Sequence, residues 1–392
     1  EAYVVLSSTD PVILELVLHW HVVDAQSFPL DLPRARFLAK HGAYSVREIY
    51  TPEDVMALVR FAMERGIRVI PELDMPGHAY AWGLDKENHS ALTVCGGMQP
   101  WELYCAEPPC GQLDPTLEST YEVVELAIQD LAVQFPDQWI HLGADEVNYR
   151  CWAQDKELTG RMAQRDQSFQ NLWQEFEDRA TEIATREGKK VILWQDAWDE
   201  GLALSKETVL QVWKGLEDVK RITEDGFRVV VSTADGWYLD CGSGSFLDGG
   251  RSWCDPFKSW EAVYAVEPSE AVAPEHLDLI LGGEVCLWAE QVDESNVHSK
   301  LWPRAAAFAE RMWSTRETED LPDARRHLSL MVDRLRRRGV QAAPIHPKFC
   351  VLHPGSCNSN SGSKHFTSWG ITEFPSSASR TFQESLSSSP TA

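Results

Sequence analysis

Residues 51–71 read TPEDVMALVRFAMERGIRVIP, and this stretch decides the fold. Thr51 is placed to cap a helix, Pro52 suits its first position, and Glu53 and Asp54 lie at the positive end of its dipole. Val55, Leu58, Val59, Ala62 and Met63 fall on one helical stripe, and Gly66 ends it. The apolar run 67–70 that follows has the character of a strand buried on both faces of a parallel sheet. A helix, a tight turn and a buried strand make one repeat of an α/β chain.

The same pattern recurs outward. A helix is expected over 116–134, with Tyr121, Val124, Ile128, Leu131 and Phe135 inward, leading to a strand at 139–142. Another is expected over 168–187, with Phe169, Leu172, Trp173, Phe176, Ala180 and Ile183 inward, leading to 191–194. Further strands are expected at 209–213, 228–232 and 279–285, and one near the start at 16–21. Seven apolar strands separated by helices indicate a parallel sheet wrapped by helices, best closed as a (β/α)8 TIM-type barrel. Polar and aromatic residues gather just after these strands: Asp24, Asp74 with His78, Asp145 with Glu146, Trp194, Trp213, Tyr238 with Asp240, and Trp288 with Glu290. In such barrels the carboxyl ends of the strands carry the active site. Residues 1–15 read as an irregular lead, 16–357 as the barrel domain, and 358–392 as a Ser-rich tail expected to be disordered. The Arg-rich stretch 325–338 is expected to be a helix with Leu328, Met331, Val332 and Leu335 inward.

Composition narrows the function. The 392 residues carry 36 basic and 60 acidic side chains, a net charge of −24, which repels nucleic acid rather than attracting it. No apolar run is long enough to span a bilayer. The sequence shows no signal peptide, but it begins at Glu1 rather than Met, so the true start is expected to lie upstream. Sixteen Trp provide flat apolar faces of the kind that stack on sugars, although core packing uses the same residue. Cys105 with Cys110 and Cys350 with Cys357 enclose short loops that read as disulfides, which implies an exported protein, and an odd total of nine leaves one thiol over. The sequon Asn88-His89-Ser90 agrees with secretion.

The stretch His141-Leu142-Gly143-Ala144-Asp145-Glu146 delivers two adjacent carboxyls at a strand end. In an extended chain they project in opposite directions, so two distinct roles are expected rather than one shared proton. His78, oriented by Asp24, can tune Glu146 towards a neutral acid that protonates a leaving group. Trp194, Trp213, Trp237 and Trp288 can box an acetyl methyl or a sugar face, and Tyr238 and Asp240 can each hydrogen-bond a polar ligand. His19 is expected to bond a backbone carbonyl within the barrel. His-x-His on a barrel strand also suggests a metal-dependent hydrolase, but the middle strands end in Trp194 and Trp213, which cannot ligate; no metal and no cofactor is expected.

Together these residues resemble the family 20 glycoside hydrolases, the β-N-acetylhexosaminidases. The resemblance runs through His19-Trp20-His21-x-x-Asp24-x-Gln26-Ser27-Phe28-Pro29, Glu72-Leu73-Asp74-Met75-Pro76-Gly77-His78, His141-x-Gly143-Ala144-Asp145-Glu146, Trp237-Tyr238-Leu239-Asp240, Gly282-Gly283-Glu284 with Leu287-Trp288 and Glu290, and Leu301-Trp302-Pro303-Arg304. The insert at 241–254 is similar to secreted fungal members. The resemblance implies retaining exo-hydrolysis of terminal β-linked N-acetylhexosamine through an oxazolinium formed by the substrate's own acetamide. Glu146 is then the acid/base, Asp145 orients the acetamide, and Tyr238 bonds its oxygen. Trp194, Trp213 and Trp288 wall its methyl, Asp240 and Glu290 bind hydroxyls, and Asp24 and His78 support Glu146. It also implies the bridges Cys95–Cys151, Cys241–Cys254 and Cys350–Cys357, with Cys105–Cys110 closing its own loop and Cys286 a buried thiol. A carbohydrate substrate, a secreted or vacuolar-lysosomal location and a role in chitin degradation follow as expectations, with a homodimer left open.

Three departures from the family pattern stand out. Ala144 replaces a usual Gly, which one methyl allows if φ is negative there. Ala25 replaces a common acidic neighbour. The first strand–helix unit, with an Arg that grips sugar hydroxyls, has no counterpart before residue 16, and the first Arg is Arg34. The barrel is therefore expected to be incomplete at that unit, as in a truncated gene product, with open edges that favour aggregation. The alternative function is an impaired or merely sugar-binding remnant of the same family.

Overall fold

The computed structural model describes residues 2–8, 16–86, 92–247, 249–314, 321–353 and 355–357. The sequon at 88–90 and the tail 358–392 lie outside these residues. Among the described residues, those up to 345 belong to one compact unit and those from 346 to a second.

Eight strands close a barrel: β1 (Ala2–Ser8), β2 (Leu16–Val23), β3 (Ile67–Met75), β4 (Trp139–Gly143), β5 (Lys190–Trp194), β6 (Val209–Val212), β7 (Arg228–Val231) and β8 (Ile280–Val285). Strands β2 to β8 are the seven expected, and they pair in parallel in chain order. Among the described residues no parallel strand–helix unit precedes β2, consistent with the expected incomplete series. The edges it would leave open are not bare, however. β1 lies antiparallel between β2 and β8, with Val4 opposite His19 and Val5 opposite Val285, so residues expected to be an irregular lead complete the ring.

The helices follow from the residues that predicted them. Helix Pro52–Met63 has the full capping box: the Asp54 N–H donates to the Thr51 side chain, and the Thr51 N–H to the Asp54 carboxylate. Val55, Val59 and Ala62 are buried against β3, while Met63 is exposed, at the edge of the stripe. Helix Glu118–Gln134 buries Tyr121, Val124, Ile128 and Leu131, and helix Phe169–Arg186 buries Leu172, Trp173, Phe176 and Ala180. Helix Leu321–Arg337 buries Leu328 and Val332 but leaves Met331 exposed. All four expected disulfides are present, and Cys286 is a free, buried thiol.

One buried carboxyl in this shell serves no bond that needs a charge. Glu177 accepts a 2.9 Å hydrogen bond from the Trp173 indole through one oxygen, and its other oxygen has no partner among the described residues. Burial pushes its pKa up to about 8 despite that bond. The folded chain therefore keeps the proton while the unfolded chain releases it near its ordinary value, so stability is lost as pH climbs from there to about 8. Glu177→Gln keeps the indole bond and removes the titration. It is expected to stabilise the protein at pH 8 by on the order of 1–3 kcal/mol, with little effect at pH 4, as read by denaturant unfolding at the two pH values.

Candidate active site

A cavity of about 840 Å³ opens at the carboxyl ends of the strands. It is lined by Asp24, His78, Asp145, Glu146, Trp194, Trp213, Tyr238, Asp240, Trp288 and Glu290, ten of the eleven expected catalytic and binding residues. Trp237 is the exception. Its indole is fully buried behind the barrel, packs edge-on against Phe308 at 4.8 Å and donates to the Val263 carbonyl. Trp237 and Tyr238 are neighbours and face opposite ways, so only one of them can reach the cavity.

The acidic pair is turned into the cavity by its backbone. Gly143, Ala144 and Glu146 have φ of 74°, 72° and 51°, all left-handed, so the chain is not extended and both carboxyls line one cavity. Ala144 thus bears its methyl at positive φ, the conformation that Gly tolerates best. At Gly143 a Cβ would run into Asp74.

His78 sits at the centre of the carboxylates. Its Nε2 is 3.2 Å from Glu146 Oε2 and 3.7 Å from Asp145 Oδ2, and its Nδ1 is 3.4 Å from Asp24 Oδ1. Burial pulls its pKa down, but Asp74, Asp145 and Asp24 outweigh that and hold it well above the usual value. Burial also opposes ionisation of Asp24, yet His78 and His21 keep its carboxyl well below the ordinary range. Asp145 is pushed up to about 7, chiefly by burial, and its Oδ1 is buried without a partner among the described residues. Such an oxygen is ready for a donor brought by a ligand.

Aromatic rings form the opposite wall. Trp213 stacks on Tyr238 at 6.4 Å, and Trp194 and Trp288 lie 6.1 Å apart. The Trp194 indole donates to Glu72 at 2.8 Å and that of Trp213 to Asp196 at 2.8 Å, which fixes both planes. The Tyr238 phenol is buried and its pKa is raised well above the usual value, so it remains a donor. Asp240 is pushed up to about 7 by burial and by Glu290.

Among the lining residues that the sequence reading did not assign, two stand out. Glu107, on the loop closed by Cys105 and Cys110, shares a hydrogen bond with Glu290, and burial pushes its pKa up to about 8. Trp253 stands edge-on to Trp213 and Tyr238 at 5.8 Å, next to the Cys241–Cys254 bridge. Their proximity to the cysteines is the one signal the sequence offers. Arg34 pairs with Asp130 away from the cavity, and Arg47 is the only Lys or Arg on its lining among the described residues.

His19 differs from its expected backbone bond: Nε2 is 2.8 Å from Glu72 and Nδ1 3.1 Å from Glu284. His19, Glu72 and His141 lie close enough to share a metal. Burial opposes the charge on His19, but the two carboxylates raise its pKa to about 10.

Carboxyls and indoles converging in one cavity at the carboxyl ends of the parallel strands place the site where barrels of this class carry theirs. The model of the family described as "Glycosyl hydrolase family 20, catalytic domain" matches residues 16–316, and the chain belongs to that family. It is 38% identical over 355 residues to the chitooligosaccharidolytic beta-N-acetylglucosaminidase of Bombyx mori, covering 86% of this chain and 59% of that protein. It is 32% identical over 381 residues to beta-hexosaminidase 1 of Coccidioides posadasii, covering 87% of this chain and 63% of the relative. The chain thus spans about three fifths of the length of these relatives. Its fold is similar to the GH20 exo beta-N-acetylglucosaminidase of Vibrio harveyi solved with N-acetylglucosamine, with a TM-score of 0.73, 24% identity, and coverage of 85% of this chain and 55% of that one.

Proposed function

We propose that the chain is a retaining exo-β-N-acetylhexosaminidase that uses the substrate's acetamide as nucleophile. The observation that carries this reading is the pair Asp145 and Glu146, turned by left-handed backbone into one cavity beside an aromatic wall. Glu146, 3.2 Å from His78, protonates the glycosidic oxygen as the C1–O bond breaks. The acetamide oxygen closes on C1 from the opposite face and gives an oxazolinium. Asp145, with a buried partner-free oxygen, accepts the acetamide N–H and offsets the charge that develops there. Tyr238 donates to the acetamide oxygen, and Trp194, Trp213 and Trp288 enclose its methyl. Glu146 then takes a proton from the water that opens the ring, leaving the β anomer. Asp240 and Glu290 bind sugar hydroxyls.

The four disulfides support an oxidising compartment, secreted or vacuolar-lysosomal. No helix among the described residues is long and apolar enough to cross a membrane. The proposed substrates are terminal N-acetylhexosaminides of chitooligosaccharides or glycans. The purified chain is expected to release 4-nitrophenol from its N-acetyl-β-glucosaminide. A folded chain whose melting temperature rises with N-acetylglucosamine but which releases no product would be a sugar-binding protein instead.

A further inference from the structure

Beneath the cavity floor, carboxyls and imidazoles alternate in an unbroken line. Glu284 Oε1 is 3.1 Å from His19 Nδ1, and His19 Nε2 is 2.8 Å from Glu72 Oε2. The same Glu72 oxygen is 2.7 Å from His21 Nδ1, and His21 Nε2 is 2.9 Å from Asp24 Oδ2. Asp24 then presents its other oxygen to His78, which reaches Glu146. Glu72 also accepts from the Trp194 indole through its second oxygen, and Trp288 packs edge-on to the His21 ring at 5.1 Å. Both side chains are buried: the His21 ring forms part of the cavity floor, where it meets Trp288, and Glu72 lies beneath it, outside the lining.

We propose that His21 and Glu72 are positioning residues: His21, clamped between two carboxylates, fixes the orientation of Asp24 and through His78 that of the Glu146 carboxyl, while Glu72 sets the plane of Trp194. The inference rests on the hydrolase function proposed for this cavity. His21 Nε2 is hydrogen-bonded to Asp24, and Nδ1 makes a close ion-pair contact with Glu72, so a carboxylate on each side of the ring favours the imidazolium. Burial opposes that charge, but Glu72 and Asp24 raise the pKa to about 9. With one Asp24 oxygen held in this way, the other is fixed opposite His78 Nδ1, which keeps Nε2 directed at Glu146 and Asp145. A group that acts only through the acid/base matters most where the leaving group needs a proton.

The test is His21→Gln, with Glu72→Gln as the second variant, each checked for folding by thermal melting. In His21→Gln, kcat is expected to fall by about 100-fold on the β-1,4-linked N-acetylglucosamine disaccharide but by no more than about tenfold on the 4-nitrophenyl glycoside, whose leaving group departs with little protonation. KM on the aryl substrate is expected to stay within about threefold. Equal losses on both substrates, or an unchanged kcat, would overturn the proposal, as would failure of both variants to fold. Nitrogen NMR of the histidine rings tests it independently of turnover. Both His21 nitrogens are expected to be protonated at pH 7, and the His78 titration is expected to move in His21→Gln. A neutral His21 or an unmoved His78 would overturn the relay even in an active enzyme, whereas an inactive wild type with these signatures would count against the hydrolase reading alone.

Discussion

Glu146→Gln is expected to lower kcat on the N-acetylglucosamine disaccharide by about 100- to 10,000-fold, the range a positioned general acid contributes. The substitution keeps the size of the side chain, and its amide can still donate to or accept from neighbours, so the cavity persists. What it removes is the transferable proton for the leaving oxygen and, in the second step, the base for water. The loss is expected to be smaller on an aryl glycoside with a good leaving group, because only deglycosylation then needs Glu146. Steady-state kinetics on both substrates check this. Comparable activity of variant and wild type on the disaccharide would remove Glu146 from the chemistry.

Asp145→Ala is expected to cost about 100- to 1,000-fold in kcat/KM, comparable to the loss of one oriented group that stabilises charge in a transition state. The carboxyl is held in place by burial and by the left-handed turn at Ala144 and Glu146, and its free Oδ1 is aimed at no protein donor among the described residues. Without it the acetamide N–H loses its acceptor as positive charge builds on the oxazolinium. Unlike Glu146→Gln, this loss is expected to be nearly the same for aryl and sugar leaving groups, since it acts on the nucleophile. Kinetics on the same two substrates separate the two roles, and a strongly leaving-group-dependent loss would contradict the assignment.

Much of this arrangement is legible in the sequence because parallel barrel strands are buried on both faces. Runs such as 67–70 and 191–194 are apolar throughout and stand out between amphipathic helices, and the polar residues that follow them mark the cavity rim. The disulfides Cys95–Cys151 and Cys241–Cys254 were legible only through the family resemblance. The orientation of Trp237 was not legible, because a break of one residue in the alternation decides between cavity and outer shell, and the short helical turn Ala234–Trp237 provides it. Nor was the left-handed turn at Ala144, where composition favours the opposite sign of φ. The network of His19, His21, Glu72 and Glu284 joins strands up to 265 positions apart, so each side chain alone reads as an isolated buried polar group. The antiparallel β1 eluded the strand pattern as well, since an α/β series predicts only parallel neighbours.

The central claim is that the nucleophile belongs to the substrate. It is tested most directly by a series of 4-nitrophenyl β-glucosaminides whose N-acetyl group carries zero to three fluorines. Fluorine withdraws electrons from the amide oxygen and weakens it as a nucleophile while leaving the aryl leaving group untouched. Substrate assistance predicts that kcat/KM falls with each fluorine, by well over about tenfold from N-acetyl to N-trifluoroacetyl, with the β anomer as first product. A rate indifferent to fluorination, or an α anomer, would place the nucleophile on the protein or in water and contradict the role of Asp145 as the partner of the acetamide.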